Sequence, residues 1–335
     1  MIYLEARPLE TLEDATTLLQ MAINLEFGTL PPYLYALYSI KPGTNAPSSS
    51  RIKSVAMEEM VHMCLACNIL NALGTNPVLT ALTYPGPLPG GISGGGKEAL
   101  IIHLFPFSKK AMAQAMAIEE PEHGAIDFEH EAAPLFMTIG QFYNHLDCFL
   151  ATLPPSRWNT GRNQLDDRQF LQGEVFAVNG YDDAHRAIRH IVSEGEGTQE
   201  SPLDFQGEVA HYYRFAEIFY DQVLTKANNP KGYAWTGTLG VDWSAVYPAI
   251  ADPVSYDFSN EPPGAQAAQN RCDEAFTRLV QELQRAIAGE ASRLGNAVRA
   301  MFDLRVAARL AMTIPLGEPT QVAGPSFRYR PNLTK

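Results

Sequence analysis

Cysteine is scarce: the chain has four in 335 residues, at positions 64, 67, 148 and 272. That is too few for a disulfide framework, so reduced thiols and a cytoplasmic location are expected. Long apolar runs are absent. Nothing approaches the ~20 residues a membrane span requires, so a soluble chain with no membrane partner is expected. The N-terminal stretch MIYLEARPLETLEDATTLLQ has no basic region followed by an apolar one and does not resemble a secretory signal. Positive charge is also in deficit. Lys and Arg number 25 against 37 Asp and Glu, the formal net charge is -12, and no basic stripe occurs. This argues against nucleic acid and anionic membrane surfaces as partners. Internal repeats and low-complexity tracts are missing, and strand signals are few.

What is present is helix. The patterning predicts helices over 12–40 (interrupted at Pro31-Pro32), 51–73, 108–118, 133–153, 182–195, 206–226, 266–287 and 289–312. KPGTNAPSSS reads as a turn between the first two helices, and Gly74 ends the second. YPGPLPGGISGGG is too rich in Pro and Gly for regular structure, and ALIIHLFPF after it reads as a short extended piece. Residues 227–265 read mostly as loop, and the tail from PLGEP onward as extended. The expected fold class is all-α, a helical bundle with long loops. Residues 1–226 form the bundle, with an insertion at about 74–132. Residues 227–335 pack additional C-terminal helices on it, within the same domain.

Glutamates sit in seams that should be apolar. In the second helix Val55, Glu59, His62, Ala66, Ile69 and Leu73 follow steps of four and three, the spacing of a packed face. A buried carboxylate is costly unless it is paired or bound to metal. Glu-x-x-His places an oxygen and an imidazole nitrogen one turn apart on one face, within reach of one ion. In the first helix Ala15, Leu19, Ala22, Glu26, Thr29 and Tyr33 form a seam in which Glu26 is the one charge. A second Glu-x-x-His occurs at Glu208 and His211. Between these lie Glu194 and Glu196, at the end of the 182–195 helix. Glu194 continues the Ala187/Ile191 seam, whereas Glu196 stands between Gly195 and Gly197, where backbone freedom allows it to turn inward.

A single Glu on one helix, Glu-x-x-His on a second, Glu on a third and Glu-x-x-His on a fourth is the ligand set of ferritin-like di-iron and di-manganese bundles. Carboxylate and imidazole suit iron or manganese better than metals that prefer thiolate. The bland alternative is that His62 and His211 are hydrogen-bonded core residues and the glutamates cap helices or pair with arginine. Glu58 falls off the seam and is expected in solvent. The 133–153 helix offers no seam glutamate. Its Tyr143 faces inward, as a core residue or as a catalytic or substrate contact, and Asp147 lies at the seam's edge. Cys64 and Cys67 form a C-x-x-C, but within MCLACNIL and without a second pair they read as buried helix residues.

The segments LEFGTLPPYLYALYSI, EEMVHM, YPGPLPGGI, IEEPE, TIGQFY, EGEG, HYYRF and AGPSF carry a family resemblance over nearly the whole chain. The chain resembles the ferritin-like family of the iminophenyl-pyruvate dimer synthases of bisindole pathways, such as violacein and rebeccamycin biosynthesis. Those synthases are much longer, and this chain looks like a stand-alone version. The resemblance implies a ferritin-like bundle with a metal site carried by Glu26, Glu59, His62, Glu208 and His211. It also favours Glu196 over Glu194 as the third carboxylate, because the family's loop reads Gln-Gly-Glu-Gly.

Function is therefore expected to be that of a di-metal oxidoreductase with two iron ions, or manganese. It would act on a small, amino-acid-derived metabolite in an oxidative or imine-coupling step of secondary metabolism, with dioxygen as a second partner. A homo-oligomer is compatible with this reading. The alternative is a non-catalytic iron-binding or storage protein.

Overall fold

The computed structural model describes residues 2–5, 9–93, 99–121, 136–137, 139–166, 171, 173–196, 201–229, 232–317 and 320–333. Among them run eight α-helices: α1 (Leu12–Ser39), α2 (Ala46–Ala72), α3 (Lys109–Ile118), α4 (Ile139–Leu150), α5 (Tyr181–Glu196), α6 (His211–Tyr220), α7 (Pro263–Ile287) and α8 (Leu294–Ala311). Strands are short and antiparallel. β1 (Ile2–Glu5) lies between β3 (Gly91–Ser93) and β5 (Phe136–Met137), β2 (Gly86–Pro87) pairs with β4 (Ile101–Ile102), and β6 (Val223–Lys226) with β7 (Tyr233–Thr236). The Pro/Gly-rich segment thus contributes both β2 and β3, against the expectation that it holds no regular structure.

α1 opens with a capping box. The Thr11 hydroxyl accepts from Asp14 N, and the Asp14 carboxylate accepts from Thr11 N at 2.8 Å. The helix then continues through Pro31 and Pro32 to Ser39 without the expected interruption. Pro32 cannot donate to the carbonyl of Gly28, four residues earlier. That carbonyl accepts instead from the Tyr84 hydroxyl at 2.6 Å. Leu82 and Leu88 press against Gly28 so closely that a Cβ there would lie 2.7 and 2.9 Å from their methyl carbons. A tertiary contact therefore supplies the hydrogen bond that Pro32 removes.

α2 starts earlier than expected, at Ala46, so that APSSS is its first turn rather than linker. Pro47 is suited to that turn because its missing N–H is not needed there. Gly74 follows the helix at φ +91°, a conformation that favours glycine. α1 and α2 pack side by side and antiparallel, with α5 and α6 against α2, α3 against α6, and α4 against α5 and α1. α7 and α8 form a second antiparallel pair that packs on α2 and α1. From Glu58 to its end at Ala72 every residue of α2 is buried, so it is the central helix, enclosed on all sides.

The expected helix over 206–226 is shorter. The Asp204 carboxylate accepts from the backbone N–H of Gln206 (2.8 Å) and Glu208 (2.9 Å), and Leu203 bridges to Val209. This local turn competes with helix, which begins only at His211. Past Tyr220 the chain enters β6. The helix expected over 133–153 runs from Ile139 to Leu150, and residues 133–135 and 138 lie outside the described residues.

No described helix is long and apolar enough to cross a membrane. Cys64, Cys67 and Cys272 are buried, and none forms a disulfide.

Candidate metal centre

Three carboxylates and two imidazoles meet in the bundle core. Glu26 comes from α1, Glu59 and His62 from α2, Glu119 from the C-cap of α3, and His211 is the first residue of α6. Antiparallel packing sets the register: Glu26 faces His62 while Thr29, one turn on, reaches back to Glu59. All five are buried, as is Tyr143.

Each carboxylate divides its two oxygens in the same way. Glu26 accepts from the Tyr143 hydroxyl at 2.6 Å and turns its other oxygen toward His62 Nδ1 at 3.7 Å. Glu119 accepts from the Tyr33 hydroxyl and aims its second oxygen at His211 Nδ1, 3.5 Å away. Glu59 accepts from the Thr29 hydroxyl at 2.8 Å, and its free oxygen faces both imidazoles, 2.9 Å from His211 Nδ1 and 3.8 Å from His62 Nδ1. The two rings are stacked with centroids 5.5 Å apart.

Behind each ring sits another carboxylate. His62 Nε2 lies 2.8 Å from Glu194, and His211 Nε2 lies 2.8 Å from Glu58, which also accepts from Arg214 at 2.6 Å. Once a metal displaces the other ring proton, these partners would keep a hydrogen on Nε2 and leave Nδ1 as the ligand atom. Two overlapping triads result, Glu26–Glu59–His62 and Glu59–Glu119–His211, in each of which the candidate ligand atoms lie within 4.8 Å of one another.

The electrostatics are those of a site short of positive charge. Burial, with Glu119 and Glu26 nearby, pushes the Glu59 carboxyl up to about 8. Burial disfavours the His62 imidazolium, but the Glu194 and Glu26 carboxylates outweigh it and raise the group to about 10. For His211 the surrounding carboxylates likewise overcome burial and hold it well above its ordinary value. Glu58 is driven down to about 2 by His211 and Arg214 in spite of its burial. Burial and Glu26 raise the Tyr143 hydroxyl, which therefore stays protonated as a donor.

A metal fits this donor set. Among the described residues, buried His211 Nδ1 makes no hydrogen bond, although a Glu59 oxygen is 2.9 Å away. An orphaned nitrogen facing two carboxylate oxygens suits a bound cation. The donors are oxygen and imidazole nitrogen, as iron, manganese or zinc require.

The sequence reading and this geometry agree in part. Glu26, Glu59, His62 and His211 are brought together, and Tyr143 touches the cluster through Glu26. Glu208 is not: its side chain is 67% exposed and lies 3.5 Å from Arg214, on the turn before α6 rather than on the helix. Glu194 reaches His62 from the outer side. The side chain of Glu196 lies outside the described residues. Glu58, expected in solvent, is buried, because α2 has no solvent face at that point. Glu119 carries no periodic signal because it caps a helix instead of continuing a seam. Its signal was the carboxylate pair of IEEPE where α3 runs out before Pro121.

A bundle with a buried carboxylate–imidazole cluster at its centre defines a class of metal-binding helical proteins. The chain belongs to the Ferritin-like family, whose model matches residues 19–220. A dichlorochromopyrrolate synthase from Lentzea aerocolonigenes is 24% identical over 386 residues, taking in 96% of this chain and 36% of that enzyme. The chain thus spans about a third of that relative's length. The crystal structure of a ferritin-like protein from Caulobacter vibrioides superposes with a TM-score of 0.64 at 22% identity, covering 97% of this chain and 100% of the other, and shows the shared fold.

Proposed function

We propose that this protein is a metal-dependent oxidoreductase that holds two metal ions, iron in the first instance, and acts on a small amino-acid-derived metabolite. The observation that carries this reading is the shared oxygen of Glu59, which faces the Nδ1 atoms of two histidines, each completed by its own carboxylate. Two iron ions so held would supply redox chemistry with dioxygen. Glu26, Glu119 and Glu59 would hold the ions, while Tyr143, Tyr33 and Thr29 orient those carboxylates. Glu194 and Glu58 keep the imidazoles in the tautomer that presents Nδ1. An oxidative or imine-coupling step in secondary metabolism is the reaction to test first, in view of the distant likeness to a synthase.

A cavity of about 860 Å³ reaches His190, whose ring contacts His62 edge-on with centroids 6.4 Å apart. The decisive experiment reduces and iron-loads the metal-free protein, then follows oxygen uptake with and without aromatic amino- or imino-acid substrates. About two iron ions per chain and substrate-dependent uptake support the oxidoreductase. Many ions per chain, or uptake indifferent to every substrate, supports the storage reading instead.

A further inference from the structure

Outside the buried cluster, Glu174, His190 and Glu194 bring three more candidate ligand atoms within 4.8 Å of one another. His190 and Glu194 are four residues apart on α5 and share one face. Glu174 comes from the segment before that helix. His190 Nε2 lies 3.4 Å from one Glu194 oxygen and 3.9 Å from one Glu174 oxygen. Ligand atoms around one ion with bonds of ~2.1 Å are roughly 3.0–3.4 Å apart, so small side-chain shifts close this triad.

Two independent features point to a ligand. His190 Nε2 is a buried atom that makes no hydrogen bond among the described residues, although it faces both carboxylates. Glu174 holds one oxygen 3.3 Å from the Gln206 amide and leaves the other toward His190, the same division seen in the inner carboxylates. Glu174 and His190 line the 860 Å³ cavity. The two arginines on its wall, Arg186 and Arg189, have their guanidinium groups over the rings of Phe176 (3.6 Å) and Phe205 (5.0 Å). Glu194 is common to both places: one oxygen meets His62 at 2.8 Å and the other faces His190.

We propose that Glu174, His190 and Glu194 form an outer site for a divalent first-row transition-metal ion, which passes ions from the cavity to the buried cluster. One imidazole and two carboxylates suit Mn²⁺ or Fe²⁺. The site stands on its own geometry; the transfer rests on reading the inner cluster as a metal centre.

The test titrates the metal-free full chain with Mn²⁺, following free ion by electron paramagnetic resonance and buried filling by stopped flow. Wild type is compared with Glu174→Gln, His190→Gln and Glu59→Ala, with circular dichroism confirming that each is folded. Wild type should bind one weaker Mn²⁺ beyond those of the inner cluster. Glu174→Gln and His190→Gln should weaken that ion by about 10-fold or more and slow inner filling similarly. Glu59→Ala should keep the outer ion and lose the inner ones. Unchanged stoichiometry and affinity in both outer variants overturns the site. An outer ion lost with no change in inner filling overturns the transfer. Loss of all ions together in Glu59→Ala shows one shared site and overturns the separation. If wild type binds only the ion that Glu174→Gln removes, the outer site stands and the reading of the inner cluster fails.

Discussion

Glu58 accepts a hydrogen bond from His211 Nε2 at 2.8 Å, on the side of the ring away from the other four cluster residues. Its second oxygen takes the Arg214 guanidinium, which is itself almost fully buried. Glu58→Ala should therefore do two things at once. Removing one partner of a buried pair leaves Arg214 with only the exposed Glu208, 3.5 Å away, as counter-charge and should lower stability by roughly 3 kcal/mol in denaturant unfolding. Freeing the back of the imidazole should weaken metal binding by about 10–100-fold in calorimetric titration. Glu58→Gln, which keeps the shape, should recover part of the stability and less of the affinity.

Glu59 is the residue common to both triads. Metal that binds only the folded state stabilises it by mass action, about 2.7 kcal/mol at a hundredfold excess over Kd. Fe²⁺ or Mn²⁺ should accordingly raise the melting temperature of the wild type by clearly more than that of Glu59→Ala, which retains only the weaker outer ion. An equal rise in both proteins would mean that the ion binds elsewhere.

Glu119 and Glu208 make a sharp contrast, the first buried against His211 and the second exposed on a turn. Glu119→Ala should lower bound metal, and His211→Ala should lower it by about half, while Glu208→Ala leaves it at the wild-type level. Elemental analysis of the purified variants decides. Metal lost from Glu208→Ala but not from Glu119→Ala would restore the helical Glu-x-x-His pair.

Proton linkage gives a fourth expectation. Glu59 and His62, raised to about 8 and about 10, still hold protons at neutral pH that a metal must displace. Apparent metal affinity should rise with pH between about 6 and 8, by up to tenfold per unit for each proton released. The metal-free protein should behave oppositely. A folded-state value above the unfolded one means that folding binds protons, so the contribution of Glu59 is full below about 4.5 and lost as pH rises through about 8. That of His62 is full below about 6.5 and lost as pH rises through about 10. Urea midpoints of the metal-free protein should fall from pH 5 to 9, and a flat profile would refute the assignment.

Tyr84 tests the account of the proline pair. Tyr84→Phe removes the donor to the Gly28 carbonyl that Pro32 leaves open, and should cost roughly 1–3 kcal/mol for a buried unsatisfied acceptor. Metal stoichiometry should not change. Loss of metal together with stability would mean that this hydrogen bond also sets the position of Glu26 on α1.

Much of the site could be read in the sequence because periodicity marks a charge in an apolar seam. Glu26, Glu59 and His62 announced themselves as polar residues at helical core positions. Glu58 did not, since a seam argument assumes one solvent face and α2 has none around it. Glu119 follows a short helix as its cap and belongs to no repeat. Glu208 misled, because Glu-x-x-His has meaning only on a helix, and the Asp204 turn holds Glu208 off α6, which begins at His211.

The sequence by itself determined the helical class, the approximate span of α2, α3, α5, α7 and α8, and the polar residues that have no place in an apolar face. These follow from local propensity and patterning along one chain. Only the tertiary structure decided which carboxylates meet. The convergence of Glu26, Glu59, Glu119 and His211 joins residues up to 185 positions apart, set by the antiparallel register of α1 on α2 and by where α3 ends and α6 begins. The continuity of α1 through Pro31 and Pro32 was likewise decided at a distance, by a tyrosine hydroxyl more than fifty residues away that meets the open Gly28 carbonyl. Register and long-range hydrogen bonds are properties of packed elements, and no window of sequence contains them.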